Sequence, residues 1–182
     1  MALIDTFDRF DPPTAQACGI NLSKLLWVRG QAISKTSAAI DPTWLPGVRA
    51  VNGPGTFVER VIDRAIKALN LVVQSGVCTL VVLDFIDVPA SAVRRLPAST
   101  WFRIERAIEG SDTAVLILGA QPISRSAGGR SIVMGGDQRV LWKGDHDRSR
   151  RVAGVRSRAS VSAARWSHGQ TVDTETTLVN AV

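Results

Sequence analysis

Two cysteines in 182 residues, Cys18 and Cys78, are too few for a disulfide framework and fit a reducing compartment. Long apolar runs are missing as well. No stretch reaches the ~18–20 residues that a helical membrane span needs. The start, Met-Ala-Leu-Ile-Asp-Thr, has neither the basic residues nor the apolar stretch of a signal peptide. The expected location is therefore cytoplasmic, with no membrane partner. There is also no internal repeat. What is present, 45% hydrophobic and 21% charged residues, excludes wholesale disorder and suits a globular chain long enough to bury a core without staples.

Charge is unevenly placed. The chain carries 22 Lys+Arg against 16 Asp+Glu, a net of +6. Residues 1–118 hold 12 basic and 11 acidic side chains, whereas 119–182 hold 10 and 5. A basic C-terminal third suits either a solvated surface or a polyanionic partner.

Ala2 to Asp5 reads as a strand. Asp11-Pro12-Pro13 then opens a short helix that Gly19 closes. Leu25 to Val28 reads as a short buried strand. Residues 30–55, rich in Pro and Gly, read as a loop insertion. Thr56 to Glu59 has the form of a capping box, and Val58, Val61, Ile62, Ala65, Ile66, Leu69 and Val73 recur at helical spacing up to Gly76. Thr79 to Asp84 has the continuous apolar character of a strand buried on both faces. Ser99 or Thr100 is expected to cap a second helix ending near Gly110, before a fully apolar strand from Thr113 to Gly119. Alternating strands and helices imply parallel crossovers and an α/β sheet. Beyond Gln121, Ile132-Val133-Met134 and Val140-Leu141-Trp142 suggest a hairpin turning at Gly135-Gly136-Asp137. Val155 to Trp166 resembles an exposed edge strand, and the last dozen residues are expected to fray.

Ligands of parallel α/β sheets gather at the carboxyl ends of the strands. Asp5, Asp84 and Gln121 fall there. An Asp closing a buried strand has the Walker B form, in which a carboxylate holds Mg²⁺ against nucleotide phosphates; it is also a common capping residue. The phosphate-cradling motif Gly-x-x-x-x-Gly-Lys-Ser/Thr does not occur, and Gly30 to Thr36 lacks its second glycine. Asp145-His146-Asp147 reads as a turn and not as a metal site. Cys18, Cys78, Trp27 and Trp101 read as core, and Trp44 as an exposed partner anchor.

Leu3-Ile4-Asp5-Thr6-Phe7-Asp8-Arg9-Phe10-Asp11-Pro12 and Gly19-Ile20-Asn21-Leu22-Ser23-Lys24-Leu25-Leu26 resemble consecutive segments of RecA-type recombinases. Leu25 to Gly30, Ala65 to Leu71 and above all Arg94 to Arg103 resemble the RecA-like accessory proteins of the bacterial SOS mutagenesis system, the ImuA type. The resemblance covers roughly residues 2–134. It implies a RecA-like, mostly parallel sheet flanked by helices over 1–134; the residue pattern adds a basic β-hairpin extension over 135–182. It also implies ATP and Mg²⁺ as the family's cofactors, Asp84 at the Walker B position, Gln121 as the γ-phosphate sensor and Asp11 at the adenine edge.

Three departures stand against catalysis. Phe7 replaces the glutamate that activates water, Thr14 replaces the aromatic residue that stacks on adenine, and the P-loop strand and helix would precede Met1. The expected core is thus N-terminally truncated and prone to self-association. No catalytic residue is assigned. The resemblance implies an accessory role in SOS response, DNA repair and translesion mutagenesis, with a recombinase filament and a mutagenic polymerase-like subunit as partners. The alternative is a fragment of an ATP-dependent, recombinase-type DNA-binding ATPase. Arg125, Arg130, Arg148, Arg150, Arg151, Arg156 and Arg158 are the candidates for contact with single-stranded DNA or an acidic partner.

Overall fold

A computed structural model describes residues 1–30, 57–123, 129–146, 148–163 and 170–177. The chain divides into two compact units, 1–124 and 125–182. Most of the expected 30–55 insertion, Thr56, Trp44 and Arg125 lie outside the described residues.

The first unit runs β1 (Ala2–Asp5), α1 (Pro12–Ala17), a 3-10 turn (Leu22–Lys24), β2 (Leu26–Arg29), α2 (Phe57–Ser75), β3 (Leu80–Phe85), α3 (Ala90–Val93), α4 (Ala98–Ile108) and β4 (Ala114–Gly119). The four strands form one parallel sheet in the order β2-β1-β3-β4. The alternating pattern therefore yields the α/β layer expected of it.

α2 shows how sequence becomes packing. Its apolar positions fall on one stripe, and Val61, Ile62, Ala65, Leu69 and Val73 are buried. Ile62, Ala65, Leu69 and Val73 join Ile4, Val81, Leu83 and Phe85 in a single core. Each of the Val, Ile, Leu and Phe side chains contributes about 1.5–3 kcal/mol by leaving water. The helix stops where Gly76 adopts φ +64°, a left-handed angle that costs a residue with a Cβ.

Several expectations need correction. β2 and β4 are edge strands, and Leu26, Leu116 and Leu118 are exposed instead of buried. α4 is entered through Pro97, with Ser99 and Thr100 inside its first turn. The proline ring fixes φ at the cap and brings no N–H of its own, and no side chain caps the helix. Cys78 is buried, but Cys18 ends α1 on the exposed side.

The second unit contains β5 (Arg130–Lys143), β6 (Arg151–Ala163) and β7 (Gln170–Thr177), an antiparallel sheet in that order. The boundary expected between 134 and 135 falls inside β5. The hairpin expected across Gly135-Gly136-Asp137 does not form; those residues lie within a single strand, where the register slips between Gly135 and Arg139. A glycine serves a bulge as readily as a turn. The strand ends instead at Gly144, φ +127°, where a Cβ would sit 2.5 Å from the Ser149 carbonyl oxygen. β6 is the central strand, not an edge. Its second neighbour is the Thr-rich segment expected to fray, whose β-branched residues suit a strand. No helix among the described residues is long and apolar enough to cross a membrane.

Candidate functional site

The parallel register brings the carboxyl ends of β1, β3 and β4 together. Asp5 pairs directly with Asp84 across β1 and β3, and Gln121 follows β4, the next strand along. The Thr6 hydroxyl donates to the Asp84 carbonyl oxygen and ties the two strand ends. The three residues singled out at strand ends therefore do share one rim of one sheet.

Their side chains differ in what they are free to do. Asp5 is 1% exposed. Its Oδ1 accepts the Arg9 N–H at 2.9 Å; its Oδ2 accepts the Phe10 N–H at 2.9 Å and the Trp27 indole N–H at 3.1 Å. A buried carboxylate satisfied in this way holds the following loop closed. Trp27 is pinned further by the edge of Phe10, with ring centroids 5.3 Å apart, and by the Arg29 guanidinium 4.5 Å above its ring.

Asp8 sits at φ +55° with its side chain 4% exposed. It accepts from Arg29 Nη2 and from the Gly30 N–H, both at 3.1 Å. Phe7 packs against the core. Asp11 caps α1, accepting the Thr14 N–H at 3.1 Å and the Thr14 hydroxyl. The carboxylate that the resemblance assigned to an adenine edge thus serves a helix terminus.

Asp84 is the exception. It is half-buried, and Oδ1 accepts the Ile86 N–H at 2.9 Å. Its pKa lies above the usual carboxylate range, first because burial penalises the charge and then because Asp5 and Asp87 add like charge; the Ile86 hydrogen bond opposes the shift. Asp87 is itself paired with Arg9 at 2.8 Å. Gln121 Oε1 accepts from Arg94 Nη1 at 3.3 Å. Arg94 belongs to the stretch that carried the strongest resemblance, yet its contact with Gln121 was not read from sequence, since no local pattern brings α3 to the end of β4.

The residues present do not fit a nucleotide. Asp84 offers one carboxylate, Asp5, Asp8 and Asp11 are committed to the fold, and the glycine-lysine phosphate cradle is absent from the sequence. Among the described residues no group of three or more His, Cys, Asp or Glu is placed to hold a metal ion.

In the second unit, strand pairing sorts the basic residues. Arg139 faces Arg156, Lys143 faces Arg151, and Arg158 follows Arg156 at the two-residue repeat, so all five occupy one face. Arg156 is paired with Glu175 at 2.9 Å and Arg158 with Asp173 at 3.0 Å. Arg139, Arg156, Ser157, Arg158 and Asp173 line an open cleft of about 200 Å³. Arg139 was missed as a candidate because its place beside Arg156 depends on the bulge. Arg148 and Arg150 are exposed in the connection between β5 and β6, and Arg130 is exposed where β5 starts. The turn there is held by Ser149, whose N–H donates to the His146 carbonyl oxygen at 2.9 Å.

No family model matches the chain, and no curated protein matches it in sequence.

Proposed function

We propose that the chain is a RecA-like accessory protein of the SOS response, serving DNA repair and translesion mutagenesis in the cytoplasm through contacts with other proteins and without ATP hydrolysis of its own. The placement of Asp5, Asp84 and Gln121 on one rim of a parallel sheet supports the recombinase-like half of this reading. The non-hydrolytic half rests on one observation: the acids nearest the expected water-activating position, Asp5 and Asp8, are spent on backbone and side-chain donors, and Phe7 lies against the core. The other acids of that rim among the described residues, Asp84 and Asp87, accept from the Ile86 N–H and from Arg9. The Arg94–Gln121 contact occupies the glutamine that a γ-phosphate would otherwise engage. The partners in this reading are a recombinase filament and a mutagenic polymerase-like subunit. The basic face of β5–β7 is the surface for single-stranded DNA or an acidic protein segment.

The test is capture with the purified chain from DNA-damaged cells, alongside an ATPase assay. Recovery of recombinase or polymerase subunits with hydrolysis at background is the expected result. Recovery of neither, or sustained turnover by the chain alone, overturns the proposal.

One observation favours a second reading, a fragment of an ATP-dependent recombinase-type enzyme. Asp84 closes β3 beside Asp5 and on the same rim as Gln121, the order that the resemblance assigns to such enzymes. An in-frame glycine-lysine phosphate motif encoded upstream of Met1 would support that alternative.

A further inference from the structure

The second sheet has two unlike faces. One carries Arg139, Lys143, Arg151, Arg156, Arg158, Asp173 and Glu175. On the other, the register aligns Ile132, Met134, Val140, Trp142, Val155 and Val172, and the hydroxyls of Ser157 and Thr174 on that face satisfy one another at 3.0 Å. The only charged position aligned with this face is Arg130, at the margin. The six apolar side chains are between 38% and 58% exposed. A sheet with one apolar face must bury it against another layer, and the described residues of the second unit supply none.

We infer that this apolar face is the interface of a homodimer, in which the β5–β7 sheets of two copies stack face to face. Two properties of the surface select a second copy as its occupant. The first is area. The exposed apolar side chains on this face, Val152 included, amount to roughly 700 Å² per copy, close to the ~800 Å² that each partner gives to a standard stable interface. The second is charge. A twofold interface sets a patch against itself, so any charge near its centre meets its own sign. This face is uncharged across its middle and meets that condition, whereas the opposite face would set arginines against arginines. Stacked sheets lie ~10 Å apart with strands within about 30° of one another, a spacing that lets Trp142, Met134 and Ile132 interdigitate with the partner's set. The pairing leaves both basic faces outward and available. This inference is independent of the RecA-like reading.

The experiment is sedimentation of the full chain between 1 and 100 µM (chosen concentrations on the order of common dissociation constants), with substitutions on each face. The unmodified chain is expected to be a dimer. Met134→Lys is expected to raise the dimer dissociation constant tenfold or more. Val133→Lys, equally exposed but aligned with the charged face, is expected to leave it unchanged. Circular dichroism checks that each variant is folded. If Met134→Lys unfolds the sheet, the near-isosteric Val140→Thr is expected to weaken the dimer several-fold. A monomer at 100 µM overturns the inference, because the face is then covered by the chain itself or by a different protein. A dimer indifferent to the Met134 and Val140 substitutions, or broken by Val133→Lys, overturns it equally, as does assembly that grows beyond two.

Discussion

The two units use apolar residues in opposite ways. Every buried hydrophobic side chain among the described residues belongs to the first unit, except Ala159. The second unit displays Ile132, Met134, Trp142 and Val172 more than half exposed. The difference is topological. A parallel sheet needs a crossover for every strand, and crossover helices such as α2 arrive with an apolar stripe that covers the sheet. An antiparallel meander needs only turns, and among the described residues of the second unit no further element accompanies β5–β7. The first unit thus buries a core of its own, whereas the second leaves the apolar side chains of its sheet exposed.

The contrast is tested most severely in the core. Leu83→Ala is expected to lower the unfolding free energy by about 3 kcal/mol in urea, since Leu83 is fully buried and the cavity cannot collapse against a rigid sheet. Val133→Ala, with half its surface exposed on the charged face of β5, is expected to change it by less than about 0.5 kcal/mol. Equal costs at the two sites would break the comparison.

A somewhat smaller effect is expected at Gly30. A Cβ there would sit 2.1 Å from the Thr6 carbonyl oxygen, a backbone atom that cannot swing away. Gly30→Ala is expected to cost about 2 kcal/mol, read from thermal melting.

Asp84 sharpens the comparison through pH. Its raised pKa means the folded chain holds this proton more tightly than the unfolded chain does. Its contribution to stability therefore becomes less favourable as pH rises through the folded value. Asp84→Asn, which keeps an oxygen for the Ile86 N–H, is expected to raise the melting temperature at pH 7. The gain shrinks as pH falls through the raised folded value and is gone below about 4, where both states of the parent chain are protonated. A gain that grows on acidification would contradict the burial argument.

The smallest effect belongs to the second unit. A double-mutant cycle on Arg156 and Glu175 is expected to give at most about 0.5 kcal/mol, vanishing in 1 M salt, because both side chains are about half exposed.

Which parts of this were legible in the sequence follows from the range of the signals. α2 was legible because seven apolar positions repeat at helical spacing over 19 residues, and β1, α1 and β3 because Asp11, two prolines and a continuous apolar run are local marks. Edge and centre were not legible: β4 reads as apolar as β3, and only the strand order makes one half-exposed and the other buried. The second sheet was misread because Gly135 and Gly136 carry the same local mark whether the chain turns or bulges. At the rim, sequence placed Asp5, Asp84 and Gln121 correctly but could not say that Asp5, Asp8 and Asp11 would be consumed by their own loops. That depends on the positive φ at Asp8 and on Trp27 arriving from another strand.

The slip within β5 has a consequence for which lengths of this strand are tolerable. Between its pairings with Arg158 and Arg156, β5 spends three residues where β6 spends one, so the surplus is even and the pleat keeps its phase. Removing a single residue from that stretch would turn Val140 and Trp142 over to the arginine side and bring Arg139 and Leu141 to the other. Removing two would restore the pattern. The number of residues at this point is thereby held to a parity, and natural length variation here should come in pairs.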